Sequence, residues 1–250
     1  SYKKNEVNEN LKIIERIGNL KKIKSSKSDE NKPKILIKAN LKNKNIQEYF
    51  NFELLKDEWV GIIGPSGSGK TTFMDIITGV AFPLNSKNCF NTKKGKLNIE
   101  ISKNLKFIYL SQFNYIPNCS VIEYITNSYN SKFIDQNKNY VVELLKSVGL
   151  FEELGFKRTN DLFKNLLENA ASISGGQAQR LNILRTIFEI KNSNDNFYNV
   201  LAMDEPFKGL DEETKKKCIA LLKTVSKTAI LITHSIKEAE ILCKSVYKIR

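Results

Sequence analysis

The stretch of sequence that decides the fold is WVGIIGPSGSGKT, residues 59–71. Its first five residues are mostly apolar and predict a buried strand, and residues 64–71 match the pattern GxxxxGK followed by Ser or Thr. Glycines in such a loop let backbone N–H groups close around phosphate oxygens, and the start of the next helix adds partial positive charge. Because a strand precedes the loop and a helix is expected over 70–78, a Gly-rich turn formed by chance is the weaker interpretation.

This phosphate loop carries the expected contacts with a nucleoside triphosphate. Lys70 is placed to reach the β- and γ-phosphates, and the Thr71 hydroxyl is a candidate ligand of Mg²⁺. The residues expected to contact the nucleotide are Gly64, Pro65, Ser66, Gly67, Ser68, Gly69, Lys70, Thr71 and Thr72.

A second apolar run ends in two carboxylates, because Val200-Leu201-Ala202-Met203 is followed by Asp204 and Glu205. A buried strand that ends in Asp delivers a carboxylate to the metal beside the phosphates, so Asp204 is expected to orient Mg²⁺ or its waters. Glu205 lies one residue further out and is the candidate for polarising the attacking water. Such a run alone is more often a surface turn, but beside a phosphate loop the catalytic interpretation is favoured.

A third motif is much narrower in its distribution. The segment Ile173-Ser174-Gly175-Gly176-Gln177-Ala178-Gln179-Arg180 resembles the LSGGQ signature of ABC ATPases, with Ile in place of the leading Leu, and precedes the acidic strand as in that family. Its Ser and glycines are expected to open a helix, whose N–H groups form a second anion site. The resemblance implies that Ser174, Gly175, Gly176 and Gln177 contact ATP bound to the opposite subunit. A plain helix cap containing glycines is the alternative.

Two further positions match the same family. Gln112 follows the expected strand Phe107–Leu110 and resembles the Q-loop glutamine, which implies contact with Mg²⁺ and ATP. Gly209-Leu210-Asp211 resembles the D-loop, which implies that Asp211 lies near the interface between two subunits.

The only histidine of the chain, His234, follows the expected strand Ala229–Thr233. The ABC family places its switch histidine at this point, so the resemblance implies that His234 acts with Glu205 in catalysis. It also implies ATP as the nucleotide, Mg²⁺ as its cofactor, and an ATP-dependent head-to-tail dimer of two such domains. One feature departs from the family, because the window Lys38 to Lys44 lacks the aromatic residue on which many members stack adenine.

Strands alternate with helices along most of the chain, which predicts a largely parallel sheet covered on both faces. We expect the α/β core of a P-loop NTPase, with an antiparallel β part near the N-terminus and an inserted α-helical subdomain at about 113–190. Residues 1–33 are expected to be a polar linker with a short helical pattern, and residues 34–250 the ABC ATPase domain. The expected strands are 35–37, 49–55, 59–63, 97–101, 107–110, 200–203, 229–233 and 246–249, and the expected helices 70–78, 121–128, 140–148, 176–190, 212–225 and 236–243.

Composition narrows the partners and the compartment. The net charge of +13 suits nucleic acid or an anionic membrane surface, but Lys and Asn are abundant throughout and no nucleic-acid-binding signature occurs. We therefore expect no nucleic-acid partner. The four cysteines lie far apart without a CxxC pair, which favours reduced thiols over a metal site. No apolar stretch approaches the length of about 18 residues that a membrane helix needs.

Several features bear on the kind of ABC protein. Lys70 and Ser174 are 174 − 70 = 104 residues apart, which suits a transporter domain, and no heptad run indicates the coiled coil of relatives that act on DNA ends. Glu15-Arg16-Ile17 resembles the segment that joins the last membrane helix to the ATPase domain of fused exporters. Leu167-Glu168-Asn169 resembles a stretch with which exporters contact their membrane domain, whereas Pro206-Phe207 is more typical of importer subunits. Both exporter features also fit ordinary helix surfaces and termini.

The resemblance therefore implies the motor of a membrane transporter on the cytoplasmic face of a membrane. A fused exporter, with the transmembrane domain N-terminal to this chain, is the favoured form. A start without Met and an end in an expected strand favour a domain taken from a longer protein. The alternatives are a separate importer ATPase subunit, a soluble ABC ATPase acting on nucleic acid or the ribosome, and a domain that binds ATP only to regulate a partner.

Overall fold

The computed structural model describes residues 20–25, 34–42, 48–81, 83–92, 95–111, 115–164, 173–193 and 196–249. Their strands are β1 (Lys21–Ser25), β2 (Ile35–Lys42), β3 (Glu48–Leu55), β4 (Trp59–Ile63), β5 (Lys87–Thr92), β6 (Gly95–Ile101), β7 (Leu105–Leu110), β8 (Tyr198–Asp204), β9 (Ala229–Ile232) and β10 (Ser245–Lys248). The helices are α1 (Lys70–Ile77), α2 (Val121–Thr126), α3 (Ser131–Ser147), α4 (Leu150–Glu153), a 3-10 helix (Thr159–Phe163), α5 (Gly175–Lys191), α6 (Glu212–Val225) and α7 (Ile236–Leu242).

The larger sheet has six strands in the order β1-β10-β4-β9-β8-β7. Strands β10, β4, β9 and β8 run parallel, and β1 joins the edge antiparallel to β10. All residues of β4 and β9 are buried, as expected for parallel strands covered on both faces. Since parallel strands end at one edge, the residues that follow β4, β8 and β9 meet there.

The smaller sheet is antiparallel, with the order β3-β2-β6-β5. Strand β2 has one buried face: Ile37, Ala39 and Leu41 are fully buried, whereas Lys38 and Asn40, which alternate with them, are half-buried. The two sheets and their helices confirm the predicted fold class.

The described residues belong to two compact units. The first contains the described residues up to Phe107 together with Asn196–Glu205 and those from Lys227 onward. The second contains the described residues of Ile108–Asp195 and Pro206–Ser226, and is built mainly of helices α2 to α6. The inserted subdomain expected at about 113–190 falls within the sequence range of the second unit.

Several element boundaries differ from the sequence predictions. The helix expected over 140–148 begins at Ser131, because the Asn130 side chain caps it by accepting a hydrogen bond from Phe133 N at 3.0 Å. The helix expected to reach residue 128 ends at Thr126, because Asn127 adopts a left-handed backbone with φ of 51°. Strands β1 and β5 were not predicted, since their Lys- and Asn-rich sequences lack the usual apolar pattern and depend on pairing with β10 and β6.

Three of the sequence predictions lie outside the described residues: the helical pattern within residues 1–19, Gln112, and the stretch Leu167-Glu168-Asn169. Within the part of the chain that the structure describes, no helix combines the length and the hydropathy needed to cross a membrane.

Candidate active site

The phosphate loop lies between β4 and α1 in the first unit and is shaped by backbone conformations that favour glycine. Gly67 and Gly69 have φ of 73° and 90°, in the left-handed region that side chains rarely adopt. Ser68 N donates to Pro65 O at 3.3 Å and closes the turn. The loop thus takes the form that the glycine spacing predicts, ahead of the N-terminus of α1.

Lys70 opens α1, and its side chain points back into this loop. Its ammonium donates to Pro65 O at 2.8 Å and to Gly64 O at 3.0 Å. Burial lowers the pKa of Lys70, and the nearby carboxylates of Glu205 and Asp204 offset part of this effect. A buried ammonium held by neutral carbonyls is a strong site for an anion, because phosphate oxygens would add the opposite charge that carbonyls lack.

Ser68 supplies a second sign of a ligand in the loop. Its Oγ is buried and, among the described residues, has no hydrogen-bond partner. Buried hydroxyls in native proteins are normally hydrogen-bonded, so an orphaned one in a phosphate loop fits a donor to a phosphate oxygen.

The Thr71 hydroxyl and Asp204 are in direct contact, with the hydroxyl donating to Asp204 Oδ2 at 2.6 Å. Burial raises the pKa of Asp204, and the neighbouring Glu205 raises it further, whereas the Thr71 bond and Lys70 lower it. A hydroxyl and one carboxylate beside a phosphate loop are hard oxygen donors of the kind Mg²⁺ takes together with substrate phosphates and water. These two side chains therefore fit a magnesium ion; Gln112, the third expected ligand, lies outside the described residues.

Glu205 follows Asp204 at the end of β8 with an uncommon backbone. Its φ is 47°, although its N–H still donates to Ile232 O at 3.0 Å. A non-glycine residue in this region carries about 1–3 kcal/mol of strain, which is found most often at functional sites. The side chain is mostly buried, with 14% exposed, and its carboxylate contacts Nε2 of His234.

His234 lies just beyond β9 and bridges two parts of the site. Its Nε2 contacts Glu205 Oε1, and its Nδ1 lies 3.2 Å from Gly64 O in the phosphate loop. The structure therefore brings Lys70, Thr71, Asp204, Glu205 and His234 together within the first unit.

The signature-like segment lies in the second unit at the start of α5. Ser174 is the N-cap: its hydroxyl accepts from Gln177 N at 3.2 Å, and Gln177 Oε1 accepts from Ser174 N at 3.0 Å. Ser174 and Gly175 are exposed. The helix start thus presents backbone N–H groups to the outside, which suits an anion supplied by another molecule.

Two side chains of the signature-like segment, to which its sequence assigned no role, hold this helix start. Arg180 makes a two-pronged pair with Glu153, at 2.8 and 2.5 Å, and donates to Val148 O at 3.0 Å. Gln179 is buried and donates to Pro206 O at 2.5 Å. The sequence shows only that Gln179 and Arg180 lie about one turn inside the expected helix. A polar residue at such a position usually faces solvent.

Asp211, the expected D-loop residue, is exposed and caps α6. Its Oδ1 accepts hydrogen bonds from Glu213 N and Thr214 N, both at 3.0 Å. The hydrogen bond from Thr214 N is the main cause that lowers the pKa of Asp211. A role of Asp211 at a subunit interface stays a prediction.

Replacing Gly64 with Ala is expected to destabilise the fold, because a Cβ there would lie 2.8 Å from Ile249 O and 2.9 Å from Ser68 Oγ. Overpacking of this kind costs about 1–3 kcal/mol. Thermal unfolding without nucleotide should show a Tm lower by about 2–10 °C. Gly175→Ala is the matched control, because a Cβ there meets nothing within 4 Å. Equal Tm values for the two variants would contradict this account of Gly64.

Comparison with protein families gives one match over most of the chain. The sequence profile of the family described as "ABC transporter" matches residues 48–208.

Two relatives are similar over most of their length. A probable amino-acid ABC transporter ATP-binding protein of Haemophilus influenzae is 30% identical over 223 residues, which cover 80% of each chain. The lipoprotein-releasing system ATP-binding protein LolD of Wigglesworthia glossinidia brevipalpis is 32% identical over 231 residues, covering 86% of this chain and 87% of the relative.

Among solved structures, a bacterial Atm1-family ABC exporter with ATP bound is similar in fold. It matches with a TM-score of 0.58 and 17% identity over 91% of this chain. The match spans only 40% of that exporter chain. At this identity the likeness supports the fold alone.

Proposed function

Because the chain belongs to the ABC transporter family, whose ATP-binding domains hydrolyse ATP, we propose that hydrolysis takes place where the phosphate loop meets Asp204, Glu205 and His234. The observation that carries this proposal is the convergence of these side chains in one unit. The Lys70 ammonium lies in the loop, Thr71 contacts Asp204, and Glu205 pairs with His234.

Each residue has a task that its surroundings suit. Backbone N–H groups of the loop, the Ser68 hydroxyl and Lys70 bind the phosphates and stabilise the charge that develops on them. Glu205 accepts a proton from the attacking water, whose oxygen bonds to the γ-phosphorus as the bond to the β-phosphate oxygen breaks. His234 orients Glu205 and lies on the side of the site where the γ-phosphate would bind. Mg²⁺, held by Thr71 and Asp204 and also by Gln112, would neutralise charge on the phosphate oxygens.

We place the second half of each ATP site on another copy of this domain. The exposed helix start at Ser174–Gln177 offers N–H groups and a hydroxyl to an anion, and lies in a different unit from the phosphate loop. A head-to-tail dimer would bring it to the γ-phosphate bound by the partner, with Asp211 near the interface. We assign no residue to stack on adenine, since β2 carries no aromatic residue.

Mixing two inactive variants tests the head-to-tail arrangement. Lys70→Met lacks the phosphate-binding ammonium but keeps its helix start. Gly175→Glu places a carboxylate at the anion site, where an added Cβ meets nothing within 4 Å. Each alone is expected to be inactive, whereas a 1:1 mixture should recover about a quarter of normal turnover, because half of the dimers contain one intact composite site. Gly175→Ala controls for loss of the glycine and should stay active. No recovery on mixing would contradict a site shared between subunits.

We further propose that this domain drives transport through a transmembrane domain, at the cytoplasmic face of a membrane, and uses no nucleic acid. The sequence features favour a fused exporter with the transmembrane domain N-terminal to the chain. A separate ATPase subunit is the second candidate, because the relatives from Haemophilus and Wigglesworthia are ATP-binding proteins that match this chain over 80% and 87% of their own length. The transported substance belongs to the membrane domain and is not part of the proposal.

Fractionation of cells with an antibody to this domain separates the two candidates. A band much larger than 28.6 kDa in the membrane fraction would support the fused transporter. A band near 28.6 kDa would support a separate subunit. Steady ATP turnover by the purified chain would exclude a domain that only binds ATP.

A further inference from the structure

The turn that carries His234 is closed by an unusual arrangement of three polar residues. Thr233 directly follows β9, and Ser235 is the N-cap of α7. In an ordinary capping box the carboxylate at the third helical position accepts a hydrogen bond from the N-cap N–H. Here Glu238 holds that third position, but its carboxylate accepts from the Thr233 hydroxyl, at 2.6 Å.

The Thr233 hydroxyl forms a bridge between the N–H of Ser235 and the Glu238 carboxylate. Its oxygen accepts the N–H of Ser235 at 3.1 Å while its proton goes to Glu238. As in an ordinary capping box, Ser235 Oγ accepts a hydrogen bond from the N–H of Glu238, at 3.2 Å. Three hydrogen bonds therefore form a closed ring, here called the 233–238 ring, and His234 is the residue that it spans.

The ring is anchored to the sheet that carries the phosphate loop. Thr233 is buried, and its N–H donates to Ile62 O of β4 at 3.3 Å. On the other side, Ala239 is fully buried, and a Cβ added to Gly61 of β4 would lie 3.1 Å from Ala239 Cβ. Both ends of the ring are therefore held against β4, and the backbone of His234 has little freedom between them.

His234 itself lacks comparable packing. Its side chain is 46% exposed and contacts Gly64 O and the Glu205 carboxylate. An exposed side chain keeps a productive orientation only if its backbone is held, since a displacement of about 1 Å can cost much of a catalytic contribution.

We propose that Glu238, acting through the Thr233 hydroxyl, is a positioning residue that fixes the direction of His234 toward Glu205 and the phosphate loop. This inference rests on the proposed function of His234. It assigns to Glu238 a catalytic effect without contact with ATP, in addition to its effect on the stability of α7.

Variants of the ring separate positioning from stability. Glu238→Ala and Thr233→Val remove the bridge, whereas Glu238→Gln keeps an acceptor oxygen and Thr233→Ser keeps the hydroxyl. Ser235→Ala is the matched stability control: it removes the N-cap side chain, at a cost of about 1 kcal/mol, and leaves the Thr233–Glu238 bond in place. We expect Glu238→Ala and Thr233→Val to lower kcat about tenfold, with KM for ATP little changed. Glu238→Gln, Thr233→Ser and Ser235→Ala should retain kcat.

A double-mutant cycle with His234→Ala tests whether the effect passes through the histidine. Glu238→Ala should lower kcat in the native background and have no further effect in the His234→Ala background. The same fold-loss in both backgrounds, or a kcat loss in Ser235→Ala equal to that of Glu238→Ala, would overturn the proposal. Full turnover in His234→Ala would contradict the proposed catalytic role of His234. Impaired turnover in His234→Ala together with normal turnover in Glu238→Ala would contradict only the positioning role of Glu238.

The single histidine gives a readout that does not depend on turnover. In protein without a histidine tag, the Cε1–H of His234 gives one ¹H–¹³C NMR signal. That signal should shift or broaden in Glu238→Ala and Thr233→Val, and keep its position in Glu238→Gln and Ser235→Ala. An unchanged signal in Glu238→Ala would overturn the proposal, whatever the activity of the variant.

Discussion

Replacing Glu205 with Gln is expected to lower steady-state ATP turnover by about 10²- to 10⁴-fold, which is the range of general-base catalysis. The amide keeps the size of the side chain but cannot accept the proton of the attacking water. It also removes the negative charge of the carboxylate that contacts His234. ATP binding should persist, because the phosphate loop and Lys70 are unchanged.

The measurement is turnover together with equilibrium binding of ATP under the same conditions. Glu212→Gln is a suitable control, since its exposed carboxylate makes only a 3.6 Å surface pair with Lys215, and such pairs contribute little. Because Glu205→Gln binds ATP without consuming it, the head-to-tail dimer should accumulate and be detectable by sedimentation. Normal turnover in Glu205→Gln would remove Glu205 from its proposed role.

Lys70→Met is expected to weaken ATP binding by about 10- to 100-fold, since hydrogen bonds to charged groups contribute about 1.5–3 kcal/mol. The Met side chain keeps the buried apolar stem and loses the ammonium that lies among Gly64 O, Pro65 O and the nearby carboxylates. Turnover should fall further than binding, because negative charge on the phosphate oxygens increases in the transition state.

Calorimetric or fluorescent titration with ATP measures the affinity, and thermal unfolding without nucleotide checks that the fold is intact. Lys56→Met provides the control, because Lys56 is exposed and lies over the Tyr198 ring at 5.4 Å. Unchanged ATP affinity in Lys70→Met would contradict the proposed phosphate contact.

Motifs with short-range causes were predictable from the sequence. The left-handed glycines of the phosphate loop, the buried strand before it and the helix after it all follow from residues 59–77. The Ser174–Gln177 capping box follows in the same way from its spacing. Strands β1 and β5 were missed, because polar edge strands form through pairing and carry little local signal.

The supporting contacts of the site were less accessible to sequence reasoning. Arg180 and Glu153 are 27 positions apart, so only the packing of α4 beside α5 brings them together. The 233–238 ring is local, but its pattern indicates an ordinary capping box. The bridge through the Thr233 hydroxyl also depends on β4, since the N–H of Thr233 donates to Ile62 O of that strand.

The sequence by itself determined which chemistry this chain carries: a phosphate loop, an acidic strand end, a signature-like helix start and a histidine after a strand. The tertiary structure alone decided that the phosphate loop, the acidic strand end and the histidine meet. Thr71 and Asp204 are 133 positions apart, and Gly64 and His234 are 170 apart. They come into contact because β4 and β8 flank β9 in one parallel sheet, whose carboxyl ends share an edge. That strand order arises from pairing between distant segments, which no local pattern of residues specifies.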